Sequence, residues 1–265
     1  MNKKGFAISV VLYSVVFLLI SILYMITGVL KTRYHVKSDL RDTIVEQLNE
    51  SINKRTRCVR MTGEDGTLVV GDAFKCDVNG DGIFDEGHEK FYYISNFYNQ
   101  SSNSFDPSVT VLIHSLNSNS GNVVSTNSPV KWNNTLTLDN GPASLKDNFP
   151  SSNWLNVVLK ANPRKIMIGY NSTNSMLSFQ YPNSTRLLTV EEFLYGCNPV
   201  SKCNFLFNTM EAEIGNGIWL ENIASKDNKT VYIIDSTTHE LSTDTVTSSN
   251  MLRTVIDVSK DSIAY

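Results

Sequence analysis

Residues Phe6 to Leu30 form a run of 25 without a single charge, preceded by Met1-Asn-Lys-Lys-Gly. As an α-helix rising about 1.5 Å per residue the run extends roughly 37 Å, enough to cross a hydrocarbon core of about 30 Å with some tilt. The pattern therefore predicts a basic leader over 1–5 and a transmembrane helix over 6–30, with the lipid bilayer as partner. A cleaved secretory signal has an apolar core of about 7–15 residues and a small-x-small exit. This run is longer and leaves through Thr27-Gly28-Val29-Leu30-Lys31. A retained anchor is the better reading.

The pattern continues past the span. Val36, Leu40, Ile44, Leu48 and Ile52 recur every four residues, with Asp39, Arg41, Asp42, Glu46, Gln47 and Glu50 between them. That is an amphipathic stalk helix over 31–54. A continuous helix from Phe6 to Asn53 extends about 70 Å, its outer half laid on the head. Within the span, Ala7, Ser14, Ser21 and Gly28 stand seven apart. Small residues at that spacing stay near one face and let two helices approach, which predicts self-association.

Lysines and arginines flank the span almost equally, with Lys3 and Lys4 before it and Lys31, Arg33 and Lys37 after it. Charge alone leaves the orientation open. The four cysteines, Cys58, Cys76, Cys197 and Cys203, form two sequence-local pairs. Neither has C-x-x-C spacing, and no histidine lies near Cys197 or Cys203 to complete a zinc site. An even number behind a membrane segment suits disulfides in an oxidising space. Local pairing gives Cys58–Cys76 and Cys197–Cys203, with two other connectivities and free thiols as alternatives. The amino terminus is then cytoplasmic and the head extracellular, in a single-pass membrane protein.

About 210 residues remain for the head, enough for one large or two small cores. Net charge is only −3, which leaves no basic footprint for nucleic acid. The fold class expected is α+β: one long N-terminal helix, then a mixed, mainly antiparallel β head with short helices. Strands are predicted over Lys90–Ile94, Val109–Ile113 and Arg164–Ile168, and a short helix near Ala143–Asn148, with Trp154 as an aromatic anchor. An Asn- and Ser-rich connector runs from Ser115 to about Asn134.

The sharpest chemical motif runs from Asp77 to Glu89. Asp77, Asn79 and Asp81 place oxygen ligands at loop positions 1, 3 and 5, and Gly82 takes the sharp turn at position 6. The Ile83 carbonyl and Asp85 follow at positions 7 and 9, so the loop predicts a structural calcium ion. Position 12, where a bidentate Glu is expected, is His88, with Glu89 one further on. Affinity on the order of 10⁻⁴ M follows from the missing ligand. The alternative is an Asn-Gly/Asp-Gly turn between strands.

No Ser/His/Asp arrangement, phosphate loop or H-E-x-x-H is found, so the chain is read as no enzyme. Glu191 and Glu192 are adjacent and do not face each other on a helix. They are assigned to the solvated side of a short helix with Thr189 as N-cap.

Two resemblances follow from these residues. Lys3-Lys4-Gly5-Phe6, then a long apolar helix running into an amphipathic one, resembles type IV pilins and related exported proteins. It implies leader cleavage between Gly5 and Phe6. Val10 stands where that family carries Glu, the carboxylate that helps place subunits in a filament. The ordered series Arg186-Leu-Leu-Thr-Val-Glu-Glu-Phe, Gly217-Ile-Trp-Leu-Glu-Asn, Thr230-Val-Tyr-Ile-Ile and Arg253-Thr-Val-Ile-Asp-Val-Ser-Lys resembles a C-terminal module of surface proteins of gut Firmicutes. That module is similar to the C-type-lectin-like fold of formylglycine-generating enzymes; Ile218 and Thr254 depart from its pattern. The same group carries a dockerin-like loop of the Cys76-Asp-Val-Asn-Gly-Asp-Gly type after its leader. The head is thereby divided into 55–165, holding the loop 77–89, and a lectin-like module over 166–265. The resemblance implies a pilin-like extracellular surface protein with an adhesin-like head for a glycan or protein. The alternative is a structural subunit of a pilus-like filament or secretion apparatus.

Overall fold

The structure, a computed structural model, describes Tyr13, 15–24, Thr27, 58–61, 67–138, 141–150, Trp154, 164–167, 176–181, 184–227 and 229–264. The chain divides into two compact units, Met1–Lys54 and Arg55–Tyr265.

In the first unit the described helical run, α1, covers 15–24. Among the described residues no helix is long and apolar enough to cross a membrane. This overturns the expected α+β class built on one long membrane-crossing helix: the described residues are mainly β with a few short helices, and the expected stalk over 31–54 lies outside the described residues. Hydroxyls compete for carbonyls at this helix. Ser21 Oγ donates to Phe17 O at 2.9 Å, and Thr27 Oγ1 reaches Leu23 O and Tyr24 O at 3.0 and 2.9 Å. Thr27 is itself helical, and these are the bonds a hydroxyl makes to the preceding turn of its own helix. Gly5, Phe6, Ala7, Ser14, Gly28, Leu40, Ile44, Leu48 and Ile52 lie outside the described residues.

The second unit holds the strands β1 (Cys58–Arg60), β2 (Ala73–Cys76), β3 (Lys90–Asn99), β4 (Ser104–His114), β5 (Asn117–Asn119), β6 (Asn122–Val124), β7 (Val130–Lys131), β8 (Arg164–Met167), β9 (Met176–Phe179) and β10 (Thr185–Arg186). Two short helices follow, α2 (Val190–Gly196) and α3 (Phe205–Asn208). Then come β11 (Ile218–Ser225), β12 (Thr230–Ile234), β13 (Leu241–Thr245), β14 (Ser249–Asn250), β15 (Val255–Ser259) and β16 (Ile263–Ala264). Ala143–Asn148 forms a 3₁₀ turn.

The main sheet has the order β10-β15-β4-β3-β2-β1-β16, so strands from the two ends of the unit share it. Its neighbours are antiparallel except β1 and β16, which run parallel. Side chains alternate across a strand, and here both faces are apolar. Tyr92, Ile94, Val111, Ile113 and Val255 belong to one core; Phe91, Tyr93, Leu112 and Ile256 belong to another on the opposite face. The first core also takes in Phe193 of α2, Leu206 of α3, and Ile218, Leu220 and Ile234 of the β11-β12-β13 sheet. That smaller sheet turns Trp219, Ile223, Val231 and Ile233 into a third core with Trp132 and Phe149. Both buried indoles find backbone acceptors: Trp219 Nε1 donates to Val130 O at 2.7 Å and Trp132 Nε1 to Leu220 O at 3.3 Å. Buried tryptophans need such partners.

Both expected disulfides are present. Cys58 and Cys76 stand directly opposite on β1 and β2, with Cα atoms 4.1 Å apart. Cys197 and Cys203 join the end of α2 to the turn before α3, with Cα atoms 5.2 Å apart. The first bridge lies in the core on one face of the main sheet and the second in the core on the other.

Candidate functional site

The segment 77–89 connects β2 to β3, and its side chains fold it. Asp77 Oδ1 accepts from Gly80 N at 2.6 Å and Oδ2 from Gly82 N at 3.1 Å. Asn79 Oδ1 accepts from Asp81 N at 2.9 Å, and Asp81 Oδ1 from Ile83 N at 2.7 Å. Gly80 and Gly82 both sit at φ +79°, a conformation that L side chains rarely adopt. Asp85 Oδ1 accepts from Gly87 N at 2.9 Å, and its other oxygen pairs with His88 Nδ1 at 2.7 Å. Those two bonds, His88 first, hold the Asp85 carboxyl below its ordinary pKa.

Glu89, one place past position 12, closes the loop through hydrogen bonds from the loop's backbone. It is buried, and Oε1 accepts from Val78 N at 3.2 Å while Oε2 accepts from Asp85 N at 3.1 Å. One carboxylate thus ties both arms of the loop together. Burial pushes its pKa up, the N–H bonds pull it down, and the charges of Asp77 and Asp81 push it up again. Asp77, Asn79, Asp81, Ile83 and Asp85 therefore share one small loop, their side-chain oxygens largely engaged by its own N–H groups. Among the described residues no group of three or more His, Cys, Asp or Glu side chains is placed to hold a metal ion.

His114, at the end of β4, anchors the loop's exit. Leu116 N donates to its Nδ1 at 3.0 Å, so Nε2 carries the proton and donates to His88 O at 2.8 Å. The ring meets Phe91 edge-on at 4.7 Å and Trp154 at 5.0 Å. Burial lowers its pKa from 6.5 to about 4, which keeps it neutral. Nothing in the local sequence marks His114 for this role. Its partners come from the loop and from a residue forty positions on.

Beside the loop lies a cleft of about 630 Å³, lined by Leu116, Val123 and Val124 together with Glu86, His88 and Glu211. Lys75 pairs with Glu86 at 2.5 Å, and Lys90 pairs with Glu211. The cleft therefore offers an apolar floor with carboxylates and an imidazole at its margin, the composition of a small-ligand recess.

A second cluster of charge is wholly buried. Arg186 forks onto Asp257 at 2.6 and 2.9 Å and onto Glu192 at 2.8 and 2.9 Å. Burial opposes the guanidinium charge, but Asp257 and Glu192 outweigh it and raise the pKa. Glu192 also accepts from Thr189 N at 3.2 Å, while Thr189 Oγ1 accepts from Glu192 N at 3.1 Å. That capping box starts α2 as the sequence implies. It corrects the expected solvated Glu192, which is fully buried. The geometry is that of a fastener, with four bonds accepted by Glu192 and two by Asp257. No family model, curated protein or solved structure matches this chain.

Proposed function

We propose that this chain is an exported surface protein whose β-rich unit is a non-catalytic binding head. Its ligand contact is the cleft beside the 77–89 loop. The observation that carries the reading is the closure of all four cysteines into two disulfides, one on each face of the main sheet. Such bridges persist in oxidising spaces and are rare where thiol buffers act.

A structural calcium ion in the loop belongs to the same reading, held by Asp77, Asn79, Asp81, Asp85 and the Ile83 carbonyl. What supports it is the crowding of Asp77, Asp81, Asp85 and Glu89 in one short loop, where burial above all, and then the charges of Asp77 and Asp81, raise the pKa of Glu89. A dication relieves that repulsion and stiffens the turn into β3. In this account the ion holds the loop margin of the cleft and takes no part in chemistry.

The test is protease shaving of intact cells that make the full-length chain. Fragments of 55–265 released without lysis are the expected result. Fragments appearing only after lysis would overturn the reading.

A further inference from the structure

A second surface, away from the loop, sets the exposed Tyr195 and two half-buried aromatic rings beside a polar hairpin tip. Tyr98 on β3, Phe105 on β4 and Tyr195 on α2 form a contiguous aromatic cluster, Tyr98 tilted at 53° to Phe105 and Phe105 stacked on Tyr195. Tyr98 and Phe105 have ring centroids 5.3 Å apart, and Phe105 and Tyr195 lie 4.1 Å apart at an interplanar angle of 25°. Phe105 covers one face of the Tyr195 ring, yet Tyr195 remains 52% exposed and so does the neighbouring Leu194. Among the described residues the Tyr195 hydroxyl has no hydrogen-bond partner. The stack is held in place from below, because Tyr98 N donates to the buried Glu192 at 3.0 Å. The hairpin arm and α2 are thereby fixed to each other before anything binds.

The surroundings decide what such a ledge can take. The hairpin tip reads Asn99-Gln-Ser-Ser-Asn-Ser104, six residues of amides and hydroxyls without a charge. Ser101, Ser102, Asn103 and Ser104 are all exposed. Asn103 stands at φ +51° and accepts from the Tyr98 hydroxyl. α2 carries no basic residue in its last turn, and Glu191 lies close enough to Tyr98 to add to the upward shift that burial gives the phenol. Neither the Asn99–Ser104 tip nor the last turn of α2 offers a cation to a negatively charged polymer, and Lys260 near Phe105 is drawn to Asp106. A neutral ligand that presents polarised C–H bonds to a ring face and hydroxyls to amides finds both.

We propose that the ledge made by the open face of Tyr195, backed by Phe105 and Tyr98, binds a neutral polysaccharide, with a pyranose face on the Tyr195 ring and hydroxyls on the Asn99–Ser104 tip and Glu191. The inference rests on reading the chain as a displayed binding head, and adds to the cleft a surface for an extended polymer. Half-exposed rings cover only one face of a ligand, so affinity is summed along a chain of sugars. Preset tyrosines suit this, since little rotamer freedom is lost on binding.

The test is native affinity electrophoresis of the full-length protein through gels holding hydroxyethyl cellulose, laminarin, yeast mannan or pullulan, with alginate as the anionic control. Retardation is expected in at least one neutral gel and not in alginate. Tyr195→Ala should weaken it about tenfold or more, whereas Tyr195→Phe keeps the ring and most of the retardation. Equal melting temperatures for the three proteins exclude misfolding as the cause. No retardation in any neutral gel, or retardation in alginate alone, overturns the proposal. So does retardation that survives Tyr195→Ala but is lost in Val123→Asp, which would place the polymer in the cleft. None of these outcomes touches the protease-shaving result, so the ledge and the displayed head fail separately.

Discussion

The loop at 77–89 and the Arg186 cluster both concentrate carboxylates, and they solve the problem in opposite ways. In the loop, Asp77, Asp81, Asp85 and Glu89 turn toward backbone N–H groups within thirteen residues of chain. In the cluster, Glu192 and Asp257 meet across 65 residues on one guanidinium that is fully buried. Like charges are thus dispersed over local dipoles in one place and neutralised by a cation in the other. The loop can be built by its own sequence and exchange partners with solvent or an ion. The cluster exists only once β10, β15 and α2 are assembled, and it fastens them.

Removing the fastener should have the largest effect. Arg186→Met leaves two carboxylates buried beside an apolar side chain, and breaking a buried pair in this way costs about 3–5 kcal/mol. Denaturant unfolding of the full chain is the check. A loss below about 1 kcal/mol would mean that Glu192 and Asp257 reach water, and the contrast between the two regions would collapse.

Acid should act next, at the point where the loop meets the core. The folded pKa of His114 is depressed to about 4 from 6.5, so the unfolded chain binds more protons between those values. Stability contributed by the neutral ring is complete above pH 6.5 and is lost as pH falls toward 4. The loss is about 3 kcal/mol at its full extent, since each unit is worth about 1.4 kcal/mol. His114→Gln should flatten that stretch of the melting-temperature profile. Parallel profiles for the two proteins would show that the ring is hydrated.

How much of this was legible depended on distance along the chain. The disulfide pairs, the Thr189 cap, the Ala143–Asn148 turn and the alternate oxygens of the loop are local patterns, and local patterns survive folding. Glu89 was visible as a carboxylate one place past position 12, but its burial was not. Adjacency to Glu191 on a short helix puts Glu192 on the solvated side in the sequence, and nothing local announces Arg186 with Asp257 behind it. The ledge joins α2 to a hairpin some ninety residues earlier, so no spacing rule finds it.

Calcium should produce the smallest change and sharpen the comparison most finely. At a dissociation constant on the order of 10⁻⁴ M, 1 mM calcium stabilises by about 1.4 kcal/mol through mass action. Scanning calorimetry should show a higher melting temperature in calcium than in chelator, and Asp81→Ala should lose the increment without losing stability in chelator. Identical melts for wild type in both conditions would make the loop a plain turn that satisfies itself.

The account stands most directly on where the disulfides form. Cells producing the full-length chain are lysed into an alkylating agent, and the protein is digested and mapped without reduction. The account predicts two cross-linked peptides, one holding Cys58 with Cys76 and one holding Cys197 with Cys203, and no alkylated cysteine. Four alkylated thiols would contradict it, because a head that is never oxidised has no claim to an exported life.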